Sequence, residues 1–536
     1  MAAAGVQPGI VDQIAARLNP NRWIILVGLV LAAIMEVLDT TIVNVSLPQM
    51  AGNLGATSEE IGWVSTGYIL SNVVVLPMTA WLASRFGRKN YLGGSILLFV
   101  VASFFCGTSS SLASLIIWRV VQGAGGAALL STAQATLREI FPKEQQGLVQ
   151  SIYIMGIIIA PTLGPTVGGI ITDNYGWHWN FLINLPIGLL AFFLVFSFLE
   201  NSEFSQKITS IDWLGIGLLT SGLGCLQYVL EEGNAKAWFD SPAIVWPALV
   251  STITLPLFVW WELSSRNPTP VVNLRVLKNR DLSAGLILFV VLGFGLYGSV
   301  FIFPMFAQNV LRLTATETGL ILLPGGLLTG VSAIVCGRLL GSGTSKFDPR
   351  IFIFIGLSLM MGSMMALATL PSSAGADDAQ FALLFRGMGL GLLFVPINLA
   401  AFSSLKGVEI AQGSGLLNLC RQLGGSLGIA VLGSFITQRE ALARNGLVQH
   451  IYSGNPLLTS RIQAVAQNMM HRGYSAATAE KAAYGTVERV ISVQSATLAY
   501  NNGFLLIAMV TLIASPVILI LRPKKSVGAP VAVDAH

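Results

Sequence analysis

Charge is what this sequence has least of. Only 10% of its 536 residues are Asp, Glu, Lys or Arg, against roughly 25% in an ordinary soluble domain. Cysteine is almost as scarce. Cys106, Cys225, Cys336 and Cys420 all fall in apolar stretches, which argues against a disulfide framework and for small buried hydrophobes. The four histidines, His178, His450, His471 and His536, lie outside the long apolar runs. No group of residues has metal-ligand spacing and there is no Walker A sequence, so neither a metal centre nor ATP is expected to drive any activity. The apolar runs hold no nucleophile–base pair, which leaves little support for an intramembrane enzyme, and no cofactor is expected. No signal peptide is evident either. The first apolar run is full length and leads into Asp39 and Pro48 rather than a small-residue cleavage site.

What the chain does have is hydrophobic residues, 54% of the total, with a mean hydropathy of +0.72. They come in blocks of roughly twenty, the length that crosses about 30 Å of hydrocarbon. Fourteen spans are expected, near 24–46, 61–82, 91–108, 112–136, 147–171, 181–199, 212–230, 243–262, 283–306, 318–341, 351–370, 379–403, 413–436 and 499–521. The stretch 11–18 before them has the pattern of a short interfacial helix. With the N-terminus cytoplasmic, 18 Lys and Arg fall on the cytoplasmic side, from Arg17 to Lys525, against Lys236 and Arg312 in the short outer loops. That is a strong positive-inside bias and places both termini inside. The net charge of +5 therefore follows membrane topology and gives no reason to expect nucleic acid.

A repeat is visible within the spans. Trp118-Arg119-Val-Val-Gln122-Gly123-Ala-Gly125-Gly126 in the fourth has a counterpart in Phe385-Arg386-Gly387-Met-Gly389-Leu-Gly391 in the twelfth. The two fall in register if spans one to six repeat as nine to fourteen, with seven and eight as an inserted hairpin. The basic loops 83–90 and 342–350 align under the same register. The expected fold class is thus an all-α polytopic membrane protein: two six-helix bundles in parallel repeat plus a two-helix insertion. Parallel repeats of this kind place a transport site between the halves near mid-membrane. The expected organisation is a cytoplasmic N-terminus (1–22), a first bundle (23–200), the inserted hairpin and its linkers (201–270), five helices of the second bundle (271–436), a long outer loop (437–498), the last span (499–521) and a cytoplasmic tail (522–536). Within the outer loop, Leu458, Ile462, Val465 and Met469 recur at helical spacing, which fits a solvated cap or a docking surface.

Glu36 and Asp39 are the costly residues, two carboxylates three positions apart on one face of the first span. Ionisable groups at membrane depth usually have a function, and this pair could take up and release a proton. The alternative for Asp39 is a structural tie to another helix. Arg119 must find a carboxylate or carbonyl, and Glu36 or Asp39 is the natural partner. Arg386 and Arg421 pose the same question with no acid in their own half, and backbone carbonyls or an anionic substrate group could answer it. A substrate pathway could be lined by Met35, Tyr68, Gln134, Arg386, Phe394, Asn398 and Gln422. Gly156, Ala160, Gly164 and Gly168 form a small-residue stripe on the fifth span with Pro161 and Pro165 beside it, suited to close packing and to a hinge or gate between the halves. Gly87 and Arg88 occupy a tight basic loop between the second and third spans.

Several of these stretches resemble a known family. Leu38-Asp39-Thr-Thr-Ile-Val-Asn44-Val-Ser-Leu-Pro48 is similar to the first-helix motif of the fourteen-helix drug:proton antiporters of the major facilitator superfamily. Arg119 with Gln122, Gly123 and Gly125 resembles the fourth-helix motif. Ala160-Pro161-Thr-Leu-Gly164-Pro165-Thr-Val-Gly168-Gly169 resembles the fifth-helix antiporter motif, and Trp177 to Gly188 the start of the sixth helix. The closest likeness is to the EmrB/QacA subfamily, and the long outer loop leans towards EmrB. The resemblance implies the major facilitator fold and proton-driven export of small hydrophobic compounds by alternating access. It also implies residence in a bacterial inner membrane, with a periplasmic adaptor (membrane fusion protein) and through it an outer-membrane channel as partners. It implies a proton-transfer role for Arg119. Ser84 stands where that superfamily commonly has Asp in the inner-loop motif, and Glu36 is outside the family motif. The rivals are a dedicated exporter of one metabolite without an adaptor, and a non-transporting scaffold or receptor.

Overall fold

The computed structural model describes residues 20–142, 144–200, 210–341, 347–405, 407–449, 451 and 455–521. The stretch 11–18 and the tail 522–536 lie outside the described residues. Helices dominate and no strand occurs among the described residues. The membrane-length helices are α1 (Arg22–Leu54), α2 (Glu59–Phe86), α3 (Arg88–Gly107), α4 (Leu112–Ile140), α5 (Gln146–Tyr175), α6 (Trp179–Phe198), α7 (Trp213–Glu232), α8 (Pro242–Leu263), α9 (Arg280–Asn309), α10 (Ala315–Gly341), α11 (Pro349–Leu367), α12 (Ala376–Ala401), α13 (Val408–Val448) and, after the shorter α14 (Pro456–His471), α15 (Ala476–Ala514). Thirteen are long and apolar enough to cross a membrane as they stand. The fourteenth, α5, qualifies as two segments bent by 50° between Pro161 and Thr166. Prolines withdraw backbone donors there, the usual cause of so sharp a kink.

The repeat extends to the packing. In the first half α1 contacts α4, α5 and α6, α4 contacts α2 and α3, and α3 contacts α6. In the second half α9 contacts α12, α13 and α15, α12 contacts α10 and α11, and α11 contacts α15. Each pair in one bundle has its equivalent in the other. Close approach is bought by glycine in both: a Cβ on Gly168 would sit 3.0 Å from the Ile42 carbonyl oxygen, and one on Gly428 2.9 Å from that of Phe294. In a lipid solvent such contacts replace hydrophobic driving force as the source of helix association.

The small-residue stripe of α5 differs from its expected role. Gly156 faces Val30 and Ile34, Gly164 faces Thr41, and Gly168 faces Ile42, all on α1. Ala160 is buried. The stripe therefore packs within the first bundle and is not the seam between halves; the side chain of Pro165 lies outside the described residues. The seam uses another face of α5. Ser151 donates to the Ala333 carbonyl on α10 at 2.7 Å, and Gly319, Gly330 and Gly337 of α10 lie against Thr166, Met155 and Ser151.

Gly87 breaks the chain between α2 and α3 with φ at +84°, a conformation that costs a residue with a Cβ roughly 1–2 kcal/mol. The turn puts Arg88 at the head of α3, where it pairs with Glu139 near the end of α4. Glu139 thus supplies an acid to the basic loop where Ser84 cannot; Ser84 instead bonds its own helix at Ala80.

At the opposite face, residues 437–498 are mostly continuous with the spans. α13 is 41 residues long and α15 is 39, near 60 Å each at 1.5 Å per residue. That is about twice the hydrocarbon thickness. Arg444 and Glu488 join the two extensions at 2.6 Å, and α14 packs along α15.

Candidate functional site

The two carboxylates of α1 lie in different environments. Asp39 is fully buried and saturated with donors. Arg119 Nη1 reaches Oδ2 at 2.6 Å, while Gln122 Nε2 and Asn184 Nδ2 reach Oδ1 at 3.1 and 2.7 Å. Arg119 is satisfied in turn: its Nε donates to the Val64 carbonyl at 2.9 Å and Nη1 also to Gln122 Oε1 at 2.7 Å. Its guanidinium lies 4.2 Å from the centre of the Tyr68 ring. Gln122 and Asn184 both donate to Ser103 Oγ, which donates to the Phe181 carbonyl. The network draws on α1, α2, α3, α4 and α6, so Asp39 and Arg119 tie together nearly the whole first bundle.

Glu36, one turn earlier, is also buried, at 5% exposure, but is held loosely. Tyr68 Oη donates to Oε1 at 3.5 Å and Asn72 Nδ2 at 3.4 Å, both near the outer limit of a hydrogen bond. Asn72 divides its amide with the Gly123 carbonyl at 3.3 Å. A Cβ at Gly126 would lie 3.4 Å from Glu36 Cγ, so the glycine makes room for the carboxylate. Arg421 of α13 lies within electrostatic range of Glu36. Its own hydrogen-bond partner is the Tyr297 hydroxyl at 2.5 Å. Glu36 thus sits near the middle of α1 where the first bundle faces the second.

Arg386 repeats the position of Arg119 in the second bundle and likewise reaches the first helix of its half. There it meets the Ser299 hydroxyl, at 3.1 Å, and its buried Nε has no partner. Among the described residues Arg386 makes no ion pair like that of Arg119 with Asp39; α9 offers it the hydroxyl of Ser299 where α1 offers a carboxylate.

The polar residues expected to line a pathway divide into two groups. Gln134 and Asn398 meet across the bundles: Gln134 Nε2 donates to Asn398 Oδ1 at 2.5 Å, and its Oε1 accepts from Ser414 Oγ and Asn418 Nδ2, both at 3.1 Å. Arg138 donates to the Asn398 carbonyl at 3.1 Å and Ser414 to the Ser131 carbonyl at 2.7 Å. A Cβ on Gly415 would approach the Leu76 carbonyl to 3.0 Å. Together these contacts shut the space between the bundles on the face that carries Arg85, Arg88 and Arg138. Tyr68 belongs to the surroundings of both Glu36 and Arg119. The others lie elsewhere: Met35 packs on α6 opposite Gly188, and Phe394 stacks edge-on with Phe289 at 5.6 Å inside the second bundle. Gln422 is half-buried beside Arg421. In a chain this apolar, a Met or Phe gives no signal that separates pathway from core.

The bonds of Gln134 set a test. With about 1 kcal/mol net for each hydrogen bond, Gln134→Leu should loosen this closure. Spin labels on the exposed ends at Glu144 and Ser403, in a cysteine-free chain, should then show a longer distance in a larger fraction of molecules. An unchanged distance distribution would remove Gln134 from the closure.

Comparison with known proteins supplies the family. The Major Facilitator Superfamily model matches residues 29–429. The chain belongs to that superfamily. It is 36% identical over 435 residues to the multidrug export protein EmrB of Haemophilus influenzae, covering 81% of this chain and 84% of the relative. It is 30% identical to EmrB of Escherichia coli K12 and to the fatty acid resistance protein FarB of Neisseria gonorrhoeae, in each case over 94% of this chain and 96% of the relative. The human organic anion transporter MFSD10 (TETRAN) shares the fold, with a TM-score of 0.55 at 13% identity over 92% of this chain and 99% of that one. The protein is thus a multi-pass membrane transporter of the major facilitator fold, EmrB-like, and not an enzyme.

Ser103, Tyr297 and Ser414 complete this transporter's polar networks without having stood out in the sequence, and Asn184 stood out only as part of the sixth-helix motif. A single Ser or Asn in an apolar helix is usually interhelical glue, and only the partner across the interface distinguishes it.

Proposed function

We infer that the protein is a proton-driven exporter of hydrophobic compounds that works by alternating access, as the inner-membrane pump of an adaptor-coupled tripartite system. The observation that carries this reading is the contrast between Asp39, locked by three donors, and Glu36, held by two bonds of 3.4 and 3.5 Å at the bundle interface. A carboxylate that must gain and lose a proton needs neighbours it can leave, and Glu36 has them. In this reading Glu36 takes a proton from the periplasmic side and releases it inward as substrate enters. Asp39 and Arg119 keep the first bundle rigid while it rocks. Gln134, Asn398 and Arg138 form the cytoplasmic closure, and Arg421 of the opposite bundle lies within electrostatic range of Glu36. The names of the EmrB and FarB relatives, multidrug export protein and fatty acid resistance protein, favour lipophilic substrates. The extensions of α13 and α15 with α14 would stand in the periplasm, where an adaptor could grip them.

Purified protein in vesicles should move a lipophilic dye against its gradient only when a proton gradient is imposed. Equal movement with and without the gradient would remove proton coupling. In cells, removing α14 should abolish resistance while leaving vesicle transport intact; resistance that survives would remove the adaptor contact.

A further inference from the structure

The two seams between the bundles should match, since α2 and α5 of one half correspond to α10 and α13 of the other. They do not. The α5–α10 seam is packed from the Ser151–Ala333 contact at one end to Thr166 and Gly319 at the other. On the other side, α13 meets α2 mainly at the basic-face end, from Leu76 onward. Beyond that point α7 of the inserted hairpin lies against both helices.

The far half of α7 and the turn after it hold both banks. On the α2 bank Tyr228 stacks with Trp63 at 5.6 Å, Thr66 donates to Glu232 at 3.3 Å, and Lys236 pairs with Glu59 at 2.9 Å. On the α13 bank Gln227 donates to Ser426 at 2.7 Å, Ser426 donates to Glu231 at 3.2 Å, and Trp238 Nε1 donates to Ser434 at 2.7 Å. Glu232 is buried at 8% exposure. Adjacent carboxylates bonded to opposite banks are an expensive arrangement at a membrane-facing helix end. Among the described residues α8 has no extensive contact outside the hairpin and its flanking turns, so α7 carries the attachment. At the basic-face end Trp261 and Asn267 donate to Asp212 at 3.0 and 2.5 Å, which fixes the two hairpin helices to each other.

We propose that α7 is a strap over the side opening between α2 and α13. It closes that opening to the outer leaflet, so that substrate leaves along the axis of the molecule, and it releases one bank each time the bundles rock. The proposal rests on the alternating-access reading for the movement, but not for the closure.

Disulfides test the movement in a background free of the four native cysteines. Thr66→Cys with Glu232→Cys ties α7 to α2, and Gln227→Cys with Ser426→Cys ties it to α13. Either tether alone should leave vesicle transport within about two-fold of the reduced protein, whereas both together should lower it by about ten-fold or more, reversibly with reductant. Transport that survives both tethers, or is stopped as fully by one, overturns the strap. Failure of the untethered protein to transport would overturn the transport reading instead. The closure has its own readout. With a photoactivatable phospholipid in the bilayer, Gln227→Ala/Trp238→Ala should gain lipid adducts on the facing sides of α2 and α13 that the wild type lacks. Identical adduct patterns overturn it.

Discussion

Asp39→Ala should cost the protein about 3–5 kcal/mol, the range for removing one partner of a buried ion pair and stranding the other. The loss falls on Arg119, which is 1% exposed and would keep its bonds to Val64 and Gln122 but no countercharge. Gln122 and Asn184 would each also lose one of their two acceptors, keeping only Ser103. Because the network joins five of the six helices of the first bundle, the effect should be global. A lower melting temperature in detergent and a reduced yield of folded protein are expected, with transport lost in consequence. Asp39→Asn keeps an acceptor and should be milder. Asp39→Ala/Arg119→Leu should recover part of the stability, since no charge is left unpaired. A normal melting temperature for Asp39→Ala would show that the pair is not structural.

Glu36→Gln should do the opposite: leave folding intact and remove coupling. Glutamine is isosteric and can still accept from Tyr68 and Asn72, so a melting temperature near the wild type's is expected. Transport driven by a proton gradient should fall by about ten-fold or more, the signature of an interaction used in turnover and not in assembly. The pH dependence follows from the direction of loading. A carboxylate that takes its proton from outside is loaded more often as the outside pH falls, so wild-type transport should rise with outside acidity. Glutamine does not titrate, and the variant should be flat. Loss of pH response in Asp39→Asn together with its retention in Glu36→Gln would reverse the assignment.

The difference between these neighbours was partly legible in sequence. Both are acids in an apolar run, and both could be named as candidates on cost alone. A structural tie was an open alternative for Asp39, but the sequence could not decide it. That depends on Arg119, Gln122 and Asn184 converging on Asp39 from two other helices, while Tyr68 and Asn72 reach Glu36 only at 3.5 and 3.4 Å. The α5 stripe shows the same limit from another side. Small residues at a spacing of four announce close packing, but which helix fills the groove is decided by the bundle, and here it is α1. Gln134 and Asn398, 264 positions apart, became one contact only when the halves closed.

By itself the sequence determined what solvent the chain lives in, how many times it crosses, which face carries the basic loops and how its halves repeat. These are properties of hydropathy, charge and local pattern, summed along the chain. The tertiary structure alone decided which Arg has an acid, which carboxylate is held tightly and which loosely, where the halves meet and that α7 lies against both banks of one seam. Those depend on partners brought together from distant positions, and in lipid, where apolar burial favours no particular neighbour, the polar and small residues that choose among them give little warning in the order of the residues.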